Sequence, residues 1–315
     1  MSNPTLALCI PAYNAAWCLP RLLESAAAQT IPFDEILVYN DCSPDDTAAV
    51  AESFGARVIH GDVNVGCSAG KNRLGEAATS EWIHFHDADD ELKPNFVEAT
   101  QRWMAQGDAA PDIVLFGYEE RWDDTGELLG IRTFDDAALR SDPVGYTIRR
   151  QINPFLGLYR RSAFLKAGGY GLDPDVLYNE DVAFHCKMAR AGLTFAADET
   201  VTVINHRVRM SMSQANGAKC ARAQYHVMRK AAASSPDRYA PLIADRLWGI
   251  AGVAGRYLDW ETADEAVALA VKLNGRTPST DAGSSAFRLA ASIAPRLSMR
   301  LREHAVRRLR PQLRD

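Results

Sequence analysis

Trp82-Ile-His-Phe-His-Asp-Ala-Asp-Asp-Glu91 is an apolar run of strand length that breaks into acid, four of the five residues after His86 being carboxylic. The same alternation of short apolar run and polar turn fills the chain before it. Thr5–Ile10, stopped by Pro11, Glu35–Tyr39 and Arg57–His60 read as strands, and Trp82–His86 as a fourth. Between them Leu19–Gln29 carries Leu19, Leu22, Leu23 and Ala26 on one helical stripe. A second helix begins near Thr47, where Asp45 can cap it, and a third spans about 68–78 behind Asn64-Val-Gly-Cys-Ser. Strands that alternate with helices predict βαβ units, hence an α/β fold whose central sheet is mostly parallel and flanked by helices. Such sheets take ligands beyond the carboxyl ends of their strands. Here those ends carry Pro11–Asn14, Asn40–Ser43 and Asp87–Asp90.

Downstream, a helix follows Pro94 and a strand covers Ile113–Gly117. Residues 118–150 are acidic and rich in turn formers, which predicts irregular or hairpin structure. Asn153–Tyr159 reads as a strand, Arg161–Lys166 as a short helix, Asn179-Glu-Asp as the head of a helix ending near Arg190, and Val201–His206 as a late strand. Beyond about 215, Ala, Leu and Arg dominate and strand signals cease. The pattern divides the chain into an α/β domain, 1–214, and a C-terminal helical region, 215–315.

Composition narrows the function classes. At 315 residues, 47% hydrophobic and 24% charged, the chain is an ordinary globular one. Its 35 basic against 40 acidic residues give −5, which excludes a basic nucleic-acid binder. The six cysteines, at 9, 18, 42, 67, 186 and 220, form no C-x-x-C pair and no disulfide framework, a usage that fits a reducing cytoplasm. No secretory leader and no run of ~18 apolar residues is visible, so the expectation is a soluble cytoplasmic protein.

Crowded carboxylates repel one another, and a cation keeps them ionised together; aspartate oxygens suit Mg²⁺ or Mn²⁺, which leave positions for water and phosphate. A solvated acidic turn, with Asp89 or Asp90 capping the next helix, is the plain alternative. His84 and His86 share one face of a strand, but the H-x-H-x-D-H order of metal hydrolases is missing, so packed or hydrogen-bonded histidines are expected. Asp41 can accept hydrogen bonds from a base or ribose, and Glu180 with Asp181 can cap a helix. Neither G-x-G-x-x-G after the first strand nor G-x-x-x-x-G-K-[ST] occurs, so dinucleotide and P-loop readings lack their signature.

Six pieces, taken together, resemble the family 2 glycosyltransferases, which have the GT-A fold. They are Ile10-Pro-Ala-Tyr-Asn, Asn40-Asp-Cys-Ser-Pro-Asp-Asp-Thr, Asn64-Val-Gly-Cys-Ser-Ala-Gly-Lys-Asn-Arg-Leu-Gly, Asp87-Ala-Asp-Asp, Gly168-Gly-Tyr and Asn179-Glu-Asp, in the family's order across residues 4 to about 215. Members transfer a sugar from a nucleotide-diphosphate donor to an acceptor hydroxyl, usually with inversion. The resemblance implies that Pro11, Ala12 and Tyr13, with Asn14 beside them, line the nucleotide-sugar pocket, that Asp41 recognises the base and that Lys71 lies near the nucleotide. It makes Asp87 and Asp89 the D-x-D pair: Asp89 the contact to Mn²⁺ or Mg²⁺, Asp87 a second ligand nearer the ribose. Asp181 becomes the general base, with Glu180 beside it. A UDP-sugar is the expected donor and a glycan, a lipid-linked or another hydroxyl compound the acceptor. This chain departs from the pattern at Cys42, where glycine is usual, at Lys71, where arginine is commoner, and at Arg209, which stands in a histidine's place with His206 as the nearby alternative.

The tail carries its own signal. Between Arg296 and Asp315 seven arginines face Glu303 and Asp315, while Leu297, Leu301, Ala305, Leu309 and Leu313 recur every fourth residue. This basic amphipathic pattern predicts peripheral contact with an anionic membrane surface, or packing on the rest of the chain or on a homodimer partner.

Overall fold

The computed structural model describes residues 3–209, 216–275, 278 and 284–313. They belong to two compact units: Met1–Tyr146, Ile152–Leu172 and Lys187–Arg209 make the first, and Thr147–Gln151, Asp173–Cys186 and Met210–Asp315 the second.

The first unit is built on one nine-stranded sheet. Its strands are β1 (Leu6–Ala12), β2 (Glu35–Asn40), β3 (Arg57–His60), β4 (Trp82–Phe85), β5 (Glu91–Leu92), β6 (Ile113–Trp122), β7 (Leu128–Arg132), β8 (Gly157–Arg160) and β9 (Phe195–Arg207). The order is β3-β2-β1-β4-β8-β6-β9-β5, with β7 paired to β6. The four strands of the opening βαβ run are parallel, joined through α1 (Leu19–Ala27), α2 (Thr47–Ser53) and α3 (Cys67–Ala77). Beyond β4 the sheet turns mixed: β8 is antiparallel to β4 and β6, β7 to β6 and β5 to β9, while β6 and β9 are parallel. The parallel part is where helical crossovers return the chain to the same end of the sheet. β1 lies between β2 and β4, fully buried from Leu6 to Ile10, and the leucines of α1 pack into the same core.

Pro11 does not stop β1, which continues to Ala12. The pairing to β4 ends at Cys9 opposite Phe85, so the missing N–H of Pro11 falls where no β4 ladder remains to be broken. Residues 118–150 hold the β6–β7 hairpin and two short helices, α5 (Asp136–Ser141) and α6 (Pro143–Arg149). The expected strand at 153–159 opens as a 3₁₀ turn, Pro154–Leu156, before β8, and the late strand starts earlier, at Phe195. Helices α4 (Phe96–Met104) and α7 (Arg161–Lys166) follow the sequence pattern.

In the second unit the described residues after 216 form helices joined by short turns. α8 (Glu180–Arg190) begins in it, and α9 (Gly217–Ser234), α10 (Ala240–Arg256), α11 (Trp260–Asn274), α12 (Ser285–Ile293) and α13 (Pro295–Leu309) complete it. α10 packs on α9 and α11; Ile243, Leu247, Ile250 and Ala254 of α10 are buried, as are Ala263, Ala266 and Ala270 of α11.

Candidate active site

The carboxyl ends of β1, β2 and β4 lie side by side, Ala12 opposite Asn40 and Cys9 opposite Phe85. The loops that leave these strands are tied together. Asn14 N donates to Ser43 Oγ at 3.1 Å, Ala15 N to Thr47 Oγ1 at 2.8 Å and Ala16 N to Asp45 Oδ2 at 3.1 Å. Asp45 also accepts the Thr47 amide through Oδ1 at 3.2 Å and so serves the head of α2. Both loops are strained at one residue, Asn14 at φ 52° and Cys42 at φ 60°. The left-handed conformation at Cys42 is the one in which a glycine costs least. Pro11 is half-buried, Ala12 buried, and Tyr13 and Asn14 are exposed on this edge. Gly70 on α3 belongs to the same wall, for a Cβ there would stand 2.9 Å from the Tyr39 ring and 3.4 Å from Pro11.

Asp41 is buried, and its carboxylate is already engaged: Oδ1 accepts from Val65 N and Oδ2 from Gly66 N, each at 2.8 Å. Two charge-assisted bonds of this kind fix the chain entering α3. The expected role of Asp41 in reading a base therefore has to use the second lone pair of an oxygen that holds this turn.

α3 in turn carries Lys71, 3% exposed, whose Nζ lies 3.1 Å from Asp87 Oδ1 and 5.6 Å from the centre of the Tyr170 ring. A buried ammonium thus stands beside the first acid of the cluster. Asp89 is exposed, yet protein around it strips part of its hydration and Asp87 adds like charge, so its carboxyl is held above the usual range. Asp90 points inward at 2% exposure and is raised well above the ordinary value by burial, then by Asp89 and Asp87. Its oxygens accept from Asn205 Nδ2 at 2.9 Å and from His206 N at 2.8 Å, pinning the end of β9 to the acidic turn. His206 Nε2 lies 3.2 Å from Glu91 Oε2, with Nδ1 at 3.7 Å from Asp123. Arg209 faces away to Asp124 and stacks on Trp122. Sequence reasoning missed Arg21, which reaches from α1 to Asp123 Oδ1 at 2.7 Å and also donates to the carbonyl of Asp89.

His84 and His86 are core residues joined in a chain. His84 Nδ1 lies 2.8 Å from the carbonyl of Gly157, which only accepts, so that nitrogen carries the proton. His84 Nε2 then accepts from His86 Nδ1 at 2.9 Å. Burial pushes His84 down to about 4 and, with the His84 ring beside it, His86 well below the ordinary range, so both are neutral.

Glu180 and Asp181 open α8 in the second unit. The residue before them, Asn179, is buried and follows Tyr178 at φ 74°. The Asp181 carbonyl lies 2.9 Å from His185 Nδ1. Among the described residues no group of three or more His, Cys, Asp or Glu is arranged to hold a metal ion unaided. Asp87 and Asp89 form a two-carboxylate edge, which suits an ion that takes its remaining ligands from water and a substrate phosphate.

Comparison with known proteins points one way. The model of Glycosyl transferase family 2 matches residues 7–166. EpsH of Bacillus subtilis (strain 168), named as a glycosyltransferase, is 34% identical over 134 residues, 41% of this chain and 38% of its own length. The chain thus spans under half the length of that curated relative. Among solved structures, S. aureus TarS 1–349 in complex with UDP-GlcNAc superposes with a TM-score of 0.65 at 16% identity, over 96% of this chain and 92% of that one. The mannosyltransferase PcManGT from Pyrobaculum calidifontis, in complex with GDP-Man and Mn²⁺, gives 0.58 at 15% identity, over 99% and 89%. At these identities the likeness speaks for the fold, which is of the GT-A type.

Proposed function

We propose that this chain, which belongs to glycosyl transferase family 2, moves a sugar from a nucleotide-diphosphate donor, a UDP-sugar, to an acceptor hydroxyl with inversion. The observation that carries the reading is the shared edge of β1, β2 and β4. It holds a buried lysine paired to Asp87, and Asp41 anchors the turn into α3 beside it. The nucleotide sugars in the two neighbours' complexes support the donor class, and the Mn²⁺ in the GDP-Man complex supports a divalent ion.

In this reading Pro11–Asn14 and Asp41 receive the nucleoside, and Lys71 supplies positive charge toward the diphosphate. Asp89, with Asp87, would hold Mn²⁺ or Mg²⁺, whose chemistry is to neutralise charge on the departing nucleotide. Asp89 is raised first by lost hydration and then by the charge of Asp87, and a cation would offset both. Asp181 takes the proton of the attacking hydroxyl, with Glu180 beside it; single displacement needs one such base. Residues 1–214 are the catalytic domain and 215–315 serve the acceptor side, a glycan or lipid-linked hydroxyl compound at the cytoplasmic face.

The test is nucleotide release from UDP-, GDP- and dTDP-sugars with Mn²⁺ or Mg²⁺, run on the native chain and on Asp181→Asn. The variant should fold, bind donor and lose transfer by ~10²–10⁴-fold, with Glu180→Gln milder. A larger loss at Glu180 than at Asp181 reverses the assignment, and release from none of the donors removes the reading.

A further inference from the structure

We propose that α12 and α13 form a docking surface for an anionic membrane. Apolar side chains recurring at i, i+3, i+4 and i+7 normally face a core. In α12 that set is Ala286, Leu289, Ala290 and Ile293, and all four are exposed, Leu289 at 67% and Ile293 at 72%. α13 carries exposed leucines of its own, Leu297 at 54%, Leu301 at 57% and Leu309 at 77%, and Ile293 and Leu297 line one groove where the two helices meet at Ala294. α13 meets its own unit through Ser298, Met299 and Glu303 instead.

Charge selects the occupant. Successive fourth residues on a helix advance by only ~40°, so Leu297, Leu301, Ala305 and Leu309 make one track. Arg296, Arg300, His304 and Arg308 make another, ~100° away, and every residue of both tracks is exposed. A helix lying in a lipid interface needs this arrangement, apolar side down and cations along its border. Arg300 is held by Asp264 and Arg307 by Glu303, whereas Arg296, Arg308 and Arg310 have no ion-pair partner among the described residues. From 284 to 313 seven arginines stand with one acid, Glu303, which is buried. A second copy seated on this face by a two-fold axis would bring two arginine-bearing faces together, and the described residues 284–313 offer no exposed carboxylate to answer them. No helix among the described residues is long and apolar enough to cross a membrane, so the contact is peripheral.

The experiment uses the full chain with phosphatidylcholine vesicles, with and without phosphatidylglycerol, read by flotation. Binding is expected to the anionic vesicles alone and should weaken as salt rises. Arg296→Gln, Arg308→Gln and Arg310→Gln combined should lower the partition on the order of a hundredfold, from about fivefold for each arginine. Leu289→Ser, Leu297→Ser and Leu301→Ser combined should lower it at least about tenfold. Both variants should keep the native circular dichroism and melting temperature, because the altered side chains are exposed. Protein that stays in solution beside anionic vesicles at low salt overturns the proposal, as does undiminished binding by both variants. A dimer in sedimentation that the leucine variant abolishes assigns the face to a second copy and overturns it too. None of these readouts depends on sugar transfer.

Discussion

Asp41→Asn separates what this carboxylate does for the fold from what it does for a ligand. Each of its oxygens accepts one amide hydrogen, from Val65 and from Gly66, at 2.8 Å. Asparagine offers one acceptor end and one donor end, so one amide would lose its partner and face an NH₂ group. A hydrogen bond to a charged group is worth ~1.5–3 kcal/mol, and an orphaned buried donor costs ~1–3 kcal/mol. Both contacts are only partly buried, so solvent offsets part of the loss. The lower end therefore applies, about 1–2 kcal/mol. In a domain of roughly two hundred residues each kcal/mol moves Tm by ~2–4 °C, so ligand-free Asp41→Asn should melt ~2–8 °C below the native chain. Thermal unfolding without nucleotide measures this, and titration with UDP on the same samples measures the ligand side. Affinity should fall as well, since the turn into α3 positions Lys71. Recognition of a base alone predicts weaker UDP binding at an unchanged ligand-free midpoint. That result would refute the clamp.

Asp89→Ala should abolish transfer while leaving the unfolding free energy measured in urea within ~0.5 kcal/mol of native, because the side chain is exposed. Asp90→Ala should do the reverse in emphasis, losing ~2–4 kcal/mol of stability as Asn205 Nδ2 and His206 N lose their acceptor; near-native turnover by Asp89→Ala would dismiss the metal assignment. The buried histidines set an acid limit. His84 is held at about 4 against its ordinary 6.5, so the folded chain binds fewer protons than the unfolded one. That stability is complete above pH 6.5 and is lost as pH falls toward 4, about 3 kcal/mol in all. Urea midpoints taken from pH 7 to 4 should slope accordingly in the native chain and less in His84→Leu; parallel slopes would assign the loss to other groups.

What could be read from sequence, and what could not, divides along the range of the interaction. Arg57–His60 and Arg161–Lys166 were readable to the residue, because turn formers or a change of period bound them on both sides. So was the position of the acidic turn, which a strand end fixes locally. The partners of that turn were not. Asn205 and His206 meet Asp90 from 115 and 116 residues away, and Arg21, which reads as an ordinary polar position on the outer face of α1, meets Asp123 from 102. No local pattern encodes such meetings, since β9 reaches the turn only by pairing with β5. Asp41 shows a second limit: its identity marks a polar strand end, but whether its oxygens are open or occupied depends on amides 24 and 25 residues later.

The tail shows a third limit, and it bears on function. Periodicity states that a helix has two faces and leaves open what each one meets. The leucines of α1 and those of α13 obey the same rule, yet Leu19, Leu22 and Leu23 are buried against the sheet and Leu297 and Leu301 stand in solvent. The difference lies in the neighbours. α1 has a strand core to cover, whereas α13 already spends its inward face on Met299, Ser298 and Glu303. An apolar stripe that the described residues leave uncovered carries a free-energy penalty in water of ~25 cal/mol per Å² until something covers it. The segregation of arginines onto the adjoining track makes an anionic surface the covering that such a helix would meet with the least repulsion.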